Sequence, residues 1–326
     1  MLFRILFLTI CLFVANTIHA LPEPSLEQFK TMMGQRGLTS WHKLSQQQMW
    51  KRREVRNHSQ KAFTLYRNAI QYLEEEAIDT VPKAIHFIWM GPRPFPENSI
   101  PNIISWKELH PSWDFFFWTD DPDKPLPIEG LQRRLIADLD LGPFQQFFEE
   151  SDNWSERSDL IRFMIMYTEG GIYVDHDVKC VRPFDQLSSH YDFVAGYEPL
   201  HLHRYTIKTP FVPNTGLIIS RPNHPIMKRV IERLSARWHI FGEKYPGQDR
   251  RSVARRVFMR TFDPFAHSVS TFIQSDEYRN LLLPACYFHS AYCFEKEVLD
   301  RLIEEELVYA IHYLRGSWLP TATSNN

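Results

Sequence analysis

Apolar residues fall into short, separated runs along this chain, and the runs alternate between two periods. Ala84-Ile85-His86-Phe87-Ile88-Trp89-Met90 is bounded by Pro82 and by Gly91-Pro92, which predicts a buried strand. Asp114 to Trp118 repeats the pattern with aromatic residues, and a helix is predicted between the two over 100–109. Further helices are predicted over 131–139 and 155–169. The second is apolar nearly all round (Leu160, Ile161, Phe163, Met164, Ile165, Met166, Tyr167), as a buried helix should be. Gly170-Gly171 is its stop signal. Ile172-Tyr173-Val174 then predicts a strand, with others near 193–196 and 217–220, and helices over 225–238, 250–260 and 294–305. Strands alternating with helices predict an α/β fold on a largely parallel sheet. Among the tryptophans, Trp118 reads as core.

The N-terminal part has a different texture. Leu2 to Val14 is apolar except for Arg4 and Thr9, and Ala20 precedes a proline-bearing stretch. This predicts an export signal over 1–20 cleaved after Ala20, placing the chain in a secreted, periplasmic or secretory-lumen setting. The competing reading, a type II membrane anchor, has only about a dozen apolar residues against the roughly 20 a span requires. Membrane contact is therefore expected through the N-terminus only. Residues 21–80 are polar with helical spacing at Leu65, Ala69, Tyr72 and Leu73, and carry a basic cluster at Lys51-Arg52-Arg53 and Arg56. They predict a helical extension whose charges face solvent or dock an anionic partner. One domain over 81–320 and a disordered tail over 321–326 complete the division.

Composition narrows the function. With 37 Lys+Arg against 39 Asp+Glu the net charge is −2, so no global field attracts nucleic acid. The 12 glycines never occur as G-x-G, which removes the dinucleotide fingerprint. Gly242 to Gly247 has phosphate-loop spacing but is followed by Gln248-Asp249, which removes that site too. Cys180, Cys286 and Cys293 remain after signal cleavage; Cys286 and Cys293 are either a pair or buried thiols, and no Cys/His spacing resembles a zinc site. His201-Leu-His203 has ligand-like spacing but reads as loop. Asn57 and Asn153 open glycosylation triplets.

Three Asp-x-Asp triplets occur, at Asp121/Asp123, Asp138/Asp140 and Asp175/Asp177. The first lies in a proline-rich turn and the second interrupts a predicted helix. The third closes a helix–Gly-Gly–strand unit, at the carboxyl edge of a central strand where open α/β sheets bind ligands. Strand alternation would turn Asp175 and Asp177 to one side and His176 to the other. Two adjacent carboxylates repel unless a cation joins them, and magnesium or manganese suits oxygen ligands shared with a diphosphate.

The run Ser158-Asp159-…-Arg162-…-Gly170-Gly171-Ile172-Tyr173-Val174-Asp175-His176-Asp177 resembles the signature of DXD-containing sugar transferases. It is most similar to the yeast initiating α-1,6-mannosyltransferases and bacterial capsular sugar transferases, and distantly to the glucosylating domains of large clostridial toxins. Val81 to Trp89, Pro111 to Asp120 and Ala310 to Trp318 extend the resemblance over about 82–318. It implies a GT-A fold, a UDP- or GDP-sugar donor, a divalent metal (Mn2+ before Mg2+), and retention of anomeric configuration. By the same resemblance Trp89 stacks on the nucleobase, Asp159 and Arg162 hold ribose and donor sugar, and Tyr173 lies against the donor. Asp175 and Asp177 bind the metal, Asn214 contacts the donor sugar, and His312 stands near metal and diphosphate while Ser317-Trp318 close over the leaving group. The acceptor is a hydroxyl on a glycan, lipid or protein.

Two departures from the pattern are visible. Thr261-Phe262-Asp263-Pro264 replaces a Thr-Gly-Pro segment, which bears on a local turn and on acceptor placement. Glu156-Arg157 replaces small residues, which is expected to alter only a helix start. Three other functions fit parts of this pattern: a silent nucleotide-sugar-binding protein, an exported toxin-like effector with residues 21–80 as a targeting element, and a metal-dependent phosphodiesterase. The last needs more ligands than this site supplies.

Overall fold

The computed structural model describes residues 21–34, 53–198, 209, 211–288 and 296–314. Seven strands form the central sheet: β1 (Ala84–Ile88), β2 (Asp114–Thr119), β3 (Gln132–Leu135), β4 (Gly171–Val174), β6 (Phe193–Tyr197), β7 (Pro213–Ser220) and β8 (Asn280–Leu283). Their order is β3-β2-β1-β4-β7-β6-β8, and β7 alone runs against the others. The sheet is thus largely parallel, as expected, with β4 at its centre. β5 (Val178–Cys180) and β9 (Ala310–His312) make a small antiparallel sheet above the carboxyl edge of β4.

The longer helices are α1 (Leu26–Met32), α2 (Arg53–Ile70), α3 (Ile100–Leu109), α4 (Trp154–Thr168), α5 (Pro225–Lys244), α6 (Arg250–Val257), α7 (Asp263–Phe272) and α8 (Lys296–Glu304). α4 starts on Asn153, whose side chain accepts from the Ser155 and Glu156 amides, and buries the apolar run predicted for it. It stops at Gly170 (φ 71°), where a Cβ would lie 2.6 Å from Pro222 Cδ. Gly171 (φ 93°) lets β4 close on β1, since its Cβ would meet the Ala84 carbonyl oxygen at 2.6 Å. Both glycines are therefore required where the chain turns from α4 into β4. Trp118 is core, as expected: it is buried and its Nε1 donates to His86 Nδ1.

Three expectations need correction. The predicted helix over 131–139 is the edge strand β3 followed by a 3-10 turn over Ile136–Asp138. Leu131, Leu135 and Leu139 have helical spacing, whereas Gln132-Arg133-Arg134 give an edge strand no period-two signal. Arg134 instead lies 4.7 Å from the Phe116 ring centroid. The predicted helix over 250–260 ends as α6 at Val257 and passes through a π-helical turn, Phe258–Phe262, into α7, so Asp263-Pro264 opens a helix and not a free turn. Finally, α1 and α2 share one hydrophobic core with the sheet. Phe29 and Tyr66 are fully buried, the Tyr66 and Tyr287 hydroxyls lie 3.1 Å apart, and Tyr191 donates to the Ala69 carbonyl. Residues 21–34 and 53–80 therefore cannot be removed without touching the core. Among the described residues no helix is long and apolar enough to cross a membrane. The export signal, Lys51-Arg52, His201-Leu-His203 and Cys293 lie outside the described residues.

Candidate active site

β4 ends at Val174, so Asp175-His176-Asp177 is a turn and not a continuation of the strand, closed by the Val178 amide donating to the Asp175 carbonyl at 3.0 Å. The two carboxylates converge, but the turn is the cause and strand alternation is not. His176 points away, as expected: its Nδ1 lies 2.9 Å from Ser99 Oγ, and its carbonyl accepts from Asn102 Nδ2. The turn leads into β5, where Val178 pairs with His312 of β9. That register sets His312 Nε2 3.3 Å from Asp177 Oδ1 and 3.9 Å from Asp175 Oδ2. One ligand atom from each of Asp175, Asp177 and His312 lies within 4.8 Å of the others.

Arg162 crosses from α4 to this turn. Its guanidinium donates to Asp175 Oδ1 (3.1 Å), to the Tyr173 hydroxyl (3.1 Å) and to the Thr215 carbonyl (2.9 Å), and pairs with Asp159 at 3.0 Å. The Tyr173 hydroxyl donates to Asp175 Oδ1 at 2.5 Å. Tyr173 is only 2% exposed, with the Arg162 guanidinium 4.3 Å from its ring centroid, so it buttresses Asp175 from beneath. Burial raises the Asp159 carboxyl above its ordinary range, against the pull of Arg162 and a hydrogen bond from Thr261. Thr261 thus keeps a place beside the site although the turn around it is helical.

Asn214 lies on β7, buried, with Nδ2 donating to Glu198 Oε1 at 2.6 Å and Oδ1 accepting from the Gly216 amide at 2.7 Å. Glu198 directly follows β6 at the same edge. Burial pushes its carboxyl up to about 7, against the Asn214 hydrogen bond and the charge of His312. Burial pushes the His312 imidazole down, but Asp177, Asp175 and Glu198 outweigh it and hold its pKa above the usual value. Four carboxylates therefore face one guanidinium and one imidazole. Oxygen-rich ligands with a single imidazole suit Mn2+ and, less well, Mg2+, so the residues present fit the metal that the sequence implies.

Asp159, Arg162, Tyr173, Asp175, Asp177, Asn214 and His312 thus come together. Trp89 stands at the rim, its ring centroid 5.0 Å from that of His176 and its Nε1 donating to the Arg93 carbonyl. Ser317 and Trp318 lie outside the described residues. Sequence reasoning missed Glu198 and Gly216. The available signal for Glu198 was a lone carboxylate directly after a buried strand at the ligand-binding edge. It also misjudged Glu156, which does more than alter a helix start. Glu156 is fully buried and pairs with Arg260 (3.1 Å) and Arg256 (3.5 Å), tying α4 to the π-helical turn.

Residues 96–194 match the family described as "Glycosyltransferase sugar-binding region containing DXD motif". Inositol phosphoceramide mannosyltransferase 1 of Schizosaccharomyces pombe is 25% identical over 52% of this chain and 47% of its own length. Inositol phosphoceramide mannosyltransferase 3 of the same yeast is 32% identical over 47% of this chain and 37% of its own. Subversion of eukaryotic traffic protein A of Legionella pneumophila is 30% identical over 39% and 21%. The chain thus spans less than half the length of these relatives. Among solved structures, PaToxG glycosyltransferase aligns with a TM-score of 0.46 at 16% identity, covering 78% of this chain and 85% of that one. The galactosyltransferase LgtC aligns with a TM-score of 0.40 at 12% identity, covering 71% and 87%. Residues 96–194 thus match a DXD-type glycosyltransferase sugar-binding region, on the α/β architecture that the sequence predicts.

Proposed function

We propose that this chain transfers a sugar from a UDP- or GDP-sugar to a hydroxyl acceptor, with a divalent metal held by Asp175, Asp177 and His312. The observation that carries the reading is the convergence of those three side chains at the carboxyl edge of β4, supported by Arg162 and Tyr173. Bound there, the metal supplies positive charge to the diphosphate leaving group. The chain's own residues do the rest. Arg162, fixed from several directions, orients Asp175 and offers positive charge toward the donor, with Asp159 holding it in place. Asn214 keeps a second amide proton for the donor sugar, since only one is spent on Glu198. Trp89 offers a ring to the nucleobase, and the sequence resemblance assigns Ser317-Trp318 to the leaving group. The resemblance implies retention, and with no side chain assigned as a nucleophile that outcome calls for same-face attack guided by the diphosphate.

The mannosyltransferase relatives favour a glycan or lipid acceptor, and an export signal over 1–20, as the sequence leads one to expect, would put the reaction outside the cytosol. The reading is tested by release of UDP or GDP from a panel of nucleotide sugars with Mn2+. Wild-type protein should release the nucleotide, and Asp177→Ala should lose about 100-fold or more of that rate. Equal hydrolysis by the two proteins removes the metal assignment. Tight nucleotide binding with no turnover of any donor makes the chain a silent binding protein.

A further inference from the structure

β7 does not pair evenly with β6. Ala195 lies opposite Ile218, but Tyr197 lies opposite Pro213, so Gly196 alone faces the segment Asn214–Leu217. The surplus residues form a bulge beside the acidic turn, the kind of irregularity that re-aims groups at active sites. Here the groups re-aimed are carbonyls. The Thr215 oxygen accepts from Arg162 at 2.9 Å, and the Gly216 oxygen accepts from the Asp175 amide at 2.8 Å. A bulge loses ladder hydrogen bonds on its open side, so something else must fix its shape. Asn214 does so on the inside, accepting from the Gly216 amide, and Glu198 anchors Asn214 from across the gap. Glu198 is itself fixed, since its amide donates to the Val212 carbonyl at 2.8 Å.

We propose that Glu198 is a positioning residue of the transferase site: by accepting from Asn214 it sets the bulge whose Thr215 and Gly216 carbonyls orient Arg162 and the Asp175 end of the acidic turn. The inference rests on the reading of that turn as the metal-holding element. The bond requires an acceptor oxygen and no charge, because a protonated carboxyl still accepts through its carbonyl oxygen. Glutamine at this position therefore preserves the staple, whereas leucine fills similar space without it.

The test compares the full chain with Glu198→Leu and Glu198→Gln by amide hydrogen exchange, read over 174–178 and 213–217 with 84–119 as an internal control, and by Mn2+ affinity. One lost hydrogen bond should speed exchange in the two site segments by about 5- to 10-fold in Glu198→Leu and weaken Mn2+ by a similar factor. The control segment should stay as in wild type, and Glu198→Gln should restore both readouts to within about twofold. If Glu198→Leu melts throughout, Asn214→Ala removes the same staple from its other end and must give the same local pattern. Wild-type exchange in the staple-less variant overturns the proposal. So does a Glu198→Gln variant as impaired as Glu198→Leu, which would make the charge and not the bond the active feature. A wild-type protein that takes up no Mn2+ sinks the metal reading instead, and the exchange data still decide the staple.

Discussion

Gly216 leaves no room for a side chain. A Cβ there would lie 2.7 Å from His312 Cε1 and 2.8 Å from Asp175 Oδ2, between two of the three residues that form the acidic cluster. Gly216→Ala should therefore push the cluster apart and lower donor turnover by about 100-fold, the cost typical of a misplacement near 1 Å. Its thermal midpoint should change little, because the strain falls on side chains at the open edge. Turnover within twofold of wild type would show that the site tolerates the shift. The residues legible at this scale were those held in short linear motifs: Asp159 to Asp177, and Asn214 and His312 in segments that share the resemblance. Gly216 and Glu198 were not, because their roles arise from a pairing between strands far apart in sequence, and a single chain read in order carries no sign of that pairing.

At the scale of elements, α4 carries Glu156, Asp159 and Arg162 at intervals of three, so one helical face presents charge to the π-helical turn and to the acidic turn. Glu156 belongs to the packing of that face: Arg260 also lies 4.0 Å from the Trp238 ring centroid and donates to its carbonyl. Glu156→Ala takes the carboxylate from Arg260 and leaves Arg256 the exposed Asp152 at 3.7 Å, and should cost about 3 to 5 kcal/mol in denaturant unfolding. A loss below about 1 kcal/mol would mean that water or other carboxylates take over.

Two histidines give the elements an acid sensitivity. His86 on β1 accepts from Trp118 at Nδ1 and faces the Gly170 carbonyl with Nε2, a neutral arrangement, and burial holds its pKa down at about 3. His224 caps α5 through Nδ1, and burial lowers it to about 4. In the unfolded chain both protonate near 6.5, so the unfolded state binds more protons below that pH and stability falls as pH drops from 6.5 toward 4. The urea midpoint should follow, with roughly 3 kcal/mol traceable to His224. His224→Asn, which keeps a capping side chain, should flatten that part of the slope. An unchanged slope would contradict the assignment.

For the whole molecule, the order of strands and helices was legible because long apolar helices and strands with clear terminators encode it locally. The edge strand β3 was not, since a strand with polar residues on both faces lacks the alternation that marks one. The union of residues 21–34 and 53–80 with the core was equally hidden, because the helical spacing around Leu65 and Ala69 marks an apolar face without naming its partner, and Tyr287 and Tyr191 lie far along the chain. The same separation in sequence brings His312 to Asp177 across β5 and β9, more than a hundred residues apart.

That contact makes the central claim testable on the intact chain: a diphosphate donor and a divalent cation should bind together at Asp175, Asp177 and His312. The measurement is thermal stability across UDP- and GDP-sugars, with and without Mn2+, for wild type and Asp177→Ala. At ligand about 100-fold above its dissociation constant, a matching donor adds about 2.7 kcal/mol of stability. The account predicts that this gain appears in wild type only when Mn2+ is present and disappears in Asp177→Ala. A donor that stabilises both proteins equally, with or without the metal, would contradict it.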